Sequence, residues 1–240
     1  QRMHPIIQLG FYLLLFRLSL FVLVYVLTLF QEGYAGGLLD RLDVWNQLGT
    51  DSRHYLNIAE NWYVNTGDDR LLIVFFPLYP LLVRLFHYIF QNYLVSGLFV
   101  SNICWVFAAY LLYELALLDT DRKGALRALK YLCILPASFL FSAPLSDSLF
   151  LLLSVACVYA VRKNIYPLAG LIGMLAAFTR MPGVLLFAPA CFELVSTIIR
   201  EHSAHRNDAR WKWRMAGNAL SLLFIPVGLL MYLFINQQVT

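Results

Sequence analysis

Three charged side chains stand out in a chain that is otherwise largely apolar: Asp51, Asp147 and Arg180. A carboxylate beside a bilayer can serve as a general base or hold a metal ion near a lipid phosphate. An arginine flanked by Ala176, Ala177, Phe178 and Met181 must snorkel, pair with an acid or bind an anion. Its planar fork of donors suits phosphate. Carboxylates and a guanidinium are thus the raw material for acid–base chemistry on a phosphorylated lipid.

Each also has an ordinary structural role open to it. Asp51 precedes a segment in which Tyr55, Ile58, Ala59 and Trp62 recur at one face of a helix. It therefore occupies an N-cap position, where its side chain could accept a first-turn N–H. Asp147 opens an apolar helix, where an acid is favoured by the helix dipole, with Ser146 as the candidate cap. Arg180 could simply pair with Asp147.

The elements that position these residues are membrane helices. The chain has 240 residues, of which 60% are hydrophobic and 13% charged. A soluble domain carries about 25% charged residues. Several apolar runs approach the roughly 20 residues needed to cross a bilayer. No alternating segments of about 10 residues suggest a β-barrel. The expected fold class is all-α, a polytopic transmembrane helical protein. Clear spans fall at about Ile6–Phe30, Tyr93–Leu118 and Ala216–Asn236. Arg17, inside the first span, needs an internal partner or a cavity.

The polar connections sort by charge. Gln31–Arg70 holds seven acids and three arginines, whereas Asp119–Lys130, Arg162–Lys163 and Arg200–Arg214 are basic. Cytoplasmic loops carry the excess of Lys and Arg, so the basic segments are expected inside and the Asp51 loop outside. Leu71–Phe90, with Pro77 and Pro80, then reads as a re-entrant or interfacial helix. Leu132–Val161 would be about 45 Å long as one helix, longer than the bilayer core of about 30 Å. A break at Ser142–Ser148 resolves this, and Tyr166–Ile199 is expected to break at Thr179–Gly183. About seven spans result, with 31–92 as a first extracytoplasmic loop carrying interfacial helices and 1–240 as a single module. Asp51, Asp147 and Arg180 then share the outer face. The absence of an initial Met and the stop just after an apolar run suggest part of a longer protein.

Cys104, Cys133, Cys157 and Cys191 lie in apolar runs and read as small buried hydrophobes. The basic Arg200–Arg214 stretch, with His202 and His205, reads as a cytoplasmic amphipathic loop near anionic lipid. Nucleic acid is excluded as a partner, because no basic domain or stacking platform accompanies it.

Four motifs occur in order: Asp51-Ser-Arg-His-Tyr-Leu-Asn-Ile-Ala-Glu, Ile73-Val-Phe-Phe-Pro-Leu-Tyr-Pro80, Ser142-Ala-Pro-Leu-Ser-Asp-Ser-Leu-Phe150 and Thr179-Arg-Met-Pro-Gly183. In these the chain resembles bacterial members of the GPI mannosyltransferase II (phosphatidylinositol-glycan class V) family, membrane glycosyltransferases of the GT-C superfamily. The resemblance spans about residues 10–200. It implies a multi-pass enzyme of the cell membrane that uses a polyprenyl-phosphate-linked sugar, usually mannose, on the extracytoplasmic face with inversion. The acceptor would be a glycan or a lipid. It implies Asp51 as the catalytic base and Arg180 as a candidate for the leaving phosphate. His54, Tyr55 and Asp147 become candidates for binding substrate, and a divalent metal ion is an option without an assigned ligand set. Two departures from the family pattern are visible: Thr50 stands where Trp is common, and Asp147 where Glu is frequent. A transporter with Asp147 and Arg180 in the substrate path is the rival reading, and a catalytically inactive membrane subunit is the third.

Overall fold

The computed structural model describes residues 5–30, 37, 43, 50–205 and 208–239. Most of the acidic first loop, including Glu32 and Asp40, falls outside the described residues, as do the side chain of Arg17 and residue Arg206. The described chain is helical, with no strand among the described residues. It divides into two compact units, residues 1–63 with 79–149 and residues 64–78 with 150–240.

The first unit holds α1 (Pro5–Leu29), α2 (Ser52–Asn61), α3 (Leu78–Phe90, from Tyr79 onward), α4 (Tyr93–Ala116) and α5 (Arg122–Ile134). A 3-10 helical segment, Pro136–Ser142, then leads to the start of α6 (Asp147–Arg162). Asn92 caps α4, accepting from the Val95 N–H at 3.0 Å, and Asp121 caps α5, accepting from the Gly124 N–H at 2.8 Å. Helix α4 is the hub. It buries Ser96, Gly97, Ser101, Cys104, Trp105 and Ala108 against its neighbours. Phe16 of α1 stacks on Trp105 with ring centroids 5.9 Å apart. The small residues on α4 let backbones approach, the usual device where lipid gives no hydrophobic drive between helices.

The second unit holds the rest of α6, then α7 (Tyr166–Ala177), α8 (Phe187–Glu201), α9 (Ala209–Leu222) and α10 (Phe224–Val239). A 3-10 segment, Met181–Leu186, joins α7 to α8. Helix α7 lies against α9 and α10 so closely that a Cβ on Gly170 would collide with the Ser221 carbonyl, and one on Gly228 with the Met174 carbonyl. The segment Val64–Leu78 belongs to this unit. Tyr232 of α10 donates its hydroxyl to the Ile73 carbonyl at 2.8 Å, and its ring stacks on Phe76.

Among the described residues, three stretches are long and apolar enough to cross a membrane: Tyr93–Ala116, Met181–Glu201 and Ala209–Val239. The pair Asp68–Val74 and Leu78–Phe90, joined through a bend, counts as a fourth if it is one broken span. That bend falls at Phe75–Pro77, where Pro77 cannot continue a helical ladder. The chain is therefore a polytopic all-α membrane protein. The expected breaks are present. Pro136–Ser142 and the turn before Asp147 interrupt Leu132–Val161, and Phe178–Arg180 interrupts Tyr166–Ile199.

Two segments differ from their expected form. Asp119–Lys130 is mostly not a connecting loop: its cations lie on the capped helix α5. Of the basic stretch Arg200–Arg214, Arg200 lies in the last turn of α8 and residues from Ala209 onward form α9, capped by Asp208. In both places an Asp accepts first-turn N–H groups and nucleates a helix within a polar sequence. The four cysteines are free, with Cys104 and Cys157 buried and the other two half-buried.

Candidate active site

Helix α2 carries the first candidate residues. Its apolar positions Tyr55, Ile58 and Ala59 are buried together with Ser52, as the helical spacing requires. Trp62 ends the helix at φ 65°, in the left-handed region. The guanidinium of Arg84 sits 6.0 Å from the Trp62 ring centroid and donates to the Glu60 carbonyl at 3.2 Å. This end of α2 is thereby tied to α3.

Asp51 stands at the head of α2. Its backbone is already helical, at φ −66° and ψ −1°, and its side chain makes no cap hydrogen bond. An effective N-cap residue has extended backbone, which swings the side chain over the first-turn N–H groups. Asp51 lacks that geometry. Only its carbonyl takes part, accepting from the N–H groups of His54 and Tyr55 at 3.0 and 3.2 Å. The carboxylate is exposed. The capping role that competed with chemistry for this residue is not realised.

One turn further, Tyr55 is only 7% exposed. Its hydroxyl lies 2.7 Å from the Ser146 Oγ, and its ring meets Tyr79 edge-on at 5.3 Å. The expectation that Tyr55 contacts donor or acceptor thus meets a side chain already engaged inside the protein. His54 is half-buried beside it.

Ser146 immediately precedes Asp147, so the Tyr55 bond carries α2 to the second carboxylate. The loop before Asp147 is held from three further directions. The Ser148 hydroxyl donates to the Phe141 carbonyl at 2.7 Å, the Ser101 hydroxyl to the Leu145 carbonyl at 3.2 Å, and the Asn102 amide to the Ser142 carbonyl at 3.2 Å. Tyr79, fully buried, donates to the Gly97 carbonyl at 3.0 Å and lies 2.8 Å from the Ser101 Oγ. Asp147 is half-buried and near enough to Tyr79 to interact with it electrostatically. Gly97 is required here. A Cβ would stand 2.7 Å from the Pro144 Cβ and 3.1 Å from the Leu56 Cδ2.

The first unit therefore brings together Asp51, His54, Tyr55 and the Asp147 turn. Tyr79, Ser101, Ser146 and Gly97 do the joining. From sequence, Tyr79 belongs to a re-entrant or interfacial helix and Ser146 to a helix cap, and neither is expected to brace the site. A tyrosine between two prolines was the available signal, since burial of a phenol calls for a partner.

Arg180 belongs to the second unit. It occupies an extended break, φ −155° and ψ 145°, between α7 and the 3-10 segment. Thr179 before it is buried and donates to the Leu175 carbonyl at 2.7 Å. Gly183 permits the tight return of the chain, because a Cβ there would collide with the backbone of Ala176. The Arg180 guanidinium is half-buried, 6.0 Å from the Phe150 ring centroid. Among the described residues, no group of three or more His, Cys, Asp and Glu side chains is placed to hold a metal ion.

The described chain is an all-α membrane scaffold that presents an exposed carboxylate on a braced helix. The family comparison gives it a chemistry. The model of the mannosyltransferase (PIG-V) family matches residues 30–239, and the chain belongs to that family. It is a membrane glycosyltransferase, acting between a sugar donor and an acceptor. No curated protein and no solved structure matches it.

Proposed function

We propose that the chain transfers mannose from a polyprenyl-phosphate-linked donor to a hydroxyl of a glycan or lipid acceptor, at the extracytoplasmic face of the cell membrane and with inversion. Asp51 is the general base. The acceptor oxygen attacks the anomeric carbon as its proton passes to Asp51. The bond from that carbon to the phosphate oxygen breaks, and polyprenyl phosphate leaves with its electron pair. Attack from the face opposite the leaving group inverts the anomeric centre.

The observation that carries this reading is the state of Asp51: an exposed carboxylate that caps nothing, on a helix fixed by Tyr55 to the Asp147 turn. A general base contributes by being in hydrogen-bond reach of the proton it takes, so a rigid mount for the carboxylate is what the chemistry requires. Asp147 and His54 are assigned to binding substrate, with Tyr55 holding the helix that carries His54. Arg180 is assigned to the phosphate, since a guanidinium steadies charge developing on a leaving oxyanion. The acidic composition of the Asp51 loop and the basic composition of the other connections support the extracytoplasmic placement.

The test is transfer of labelled mannose from a polyprenyl-phosphate donor by purified protein in liposomes. Loss of transfer on Asp51→Asn, with normal expression, supports the reading. Full activity in that variant overturns it.

A further inference from the structure

We infer that the exposed face of α5 is a binding surface for anionic phospholipid headgroups. Helix α5 follows the span α4 after the short connection Leu117–Asp121, so its first turn is fixed at the end of a membrane-crossing helix. Its inner face, Ala125, Leu129 and Leu132, is buried against the rest of the first unit, which includes α4. The outer face cannot rotate away from the direction in which it points.

That outer face is divided along its length. Arg122, Lys123, Arg127 and Lys130 are all exposed, with the exposed Leu126 among them, and occupy the first two turns and a little more, about 12 Å of helix. From Tyr131 onward the exposed residues are apolar: Tyr131 at 63%, Ile134 at 60% and Leu135 at 51%. Four cations giving way to an aromatic residue and then to aliphatic ones is the profile of a helix entering a bilayer. Tyr favours the headgroup level, and long cationic side chains extend into the headgroup layer. Among the described residues none of the four cations takes part in an ion pair, and α5 itself contains no acid. Asp121 at the head of the helix turns its carboxylate to the Gly124 N–H, and the exposed cations remain available to an anion from outside. The geometry places lipid phosphate there, because the apolar continuation of the same face is suited to acyl chains.

Charge complementarity selects the lipid. Each Lys or Arg near an anionic surface adds a favourable increment that falls off within a Debye length. One such increment corresponds to about five-fold, so four on one face favour phosphatidylglycerol over zwitterionic phosphatidylcholine by at least that factor. This inference rests on unit geometry and charge and is independent of the reaction assigned to Asp51.

The experiment reconstitutes the full chain in phosphatidylcholine vesicles containing spin-labelled phosphatidylglycerol or spin-labelled phosphatidylcholine. The relative association of the two probes is read from the immobilised spectral component. The wild type is expected to prefer the anionic probe at low salt and to lose most of that preference at high salt. The variant carrying Arg122→Gln, Lys123→Gln, Arg127→Gln and Lys130→Gln is expected to approach parity. The milder Arg127→Gln, Lys130→Gln pair serves if the fourfold variant fails to fold. A control carrying Arg53→Gln and Arg70→Gln, exposed cations of the acidic segment, is expected to keep most of the preference. Unchanged preference in the α5 variants overturns the proposal and turns attention to an acidic protein partner. Equal loss in the control overturns it too, since the effect is then one of net charge.

Discussion

The Tyr55 hydroxyl and the Ser146 hydroxyl meet at 2.7 Å although 91 positions separate them in the chain. This bond sits one turn below Asp51 on one side and one residue before Asp147 on the other.

Breaking that bond from either side should have the same consequence. Tyr55→Phe removes the partner of the buried Ser146 hydroxyl, and Ser146→Ala removes the Ser146 partner of the Tyr55 hydroxyl, each at a cost of about 1–3 kcal/mol. The double variant should cost little more than the worse single one, because both remove a single interaction. Thermal unfolding of the four proteins in detergent checks this. Additive losses would show that the two hydroxyls act separately.

Asp51→Asn should lower sugar transfer by about 10²–10⁴-fold, the usual worth of a positioned base. It should leave stability within about 0.5 kcal/mol, as for exposed residues outside special features. The exposed carboxylate makes no cap bond, so there is no structural role to lose. Transfer assays and unfolding midpoints on the same preparation separate the two effects. A large drop in stability would return the residue to a structural role.

Glycine substitutions should divide sharply. Gly97→Ala drives a Cβ to 2.7 Å from Pro144, beside the Asp147 turn, and overpacking of this kind costs about 1–3 kcal/mol. Activity should fall with it. Gly217, inside α9, has nothing within 4 Å of its added Cβ. Gly217→Ala should be neutral or stabilise by up to about 1 kcal/mol through helix propensity. Equal behaviour of the two variants would contradict the packing described around Pro144.

Arg180 should tolerate lysine poorly. Arg180→Gln removes the charge, and loss of one oxyanion-stabilising donor costs about 10²–10³ in kcat. Arg180→Lys keeps the charge but not the planar fork, and should recover only part of that loss. Steady-state kinetics with the polyprenyl-phosphate donor provide the check. A change in KM alone would mean that Arg180 binds donor without stabilising the leaving phosphate.

Much of the fold was legible in the sequence because its signals are local. Hydropathy over a helix length, the prolines at 77 and 80, and the polar interruptions at Ser142–Ser148 and Thr179–Gly183 each act within a few residues. They located long apolar helices and their breaks. The helix of Asp51 was legible too, since Tyr55, Ile58 and Ala59 share a face by spacing alone. The form of the basic segments was less so. Asp121 and Asp208 turn polar stretches into helix starts, and hydropathy does not register a cap.

Asp51, Asp147 and Arg180 were visible as side-chain types in unlikely places, and the four ordered motifs named the family. What the sequence could not weigh was whether Asp51 is spent on its own helix, because capping depends on a backbone angle rather than on residue identity. Nor could it reveal that Tyr79 and Ser101 hold the turn before Asp147, or that Gly97 makes room for Pro144. Those relations join α2, α3, α4 and the Asp147 turn across long stretches of chain. Local sequence determined which helices form and where they stop. Only close packing among them decided which hydroxyls meet and which carboxylate is left exposed.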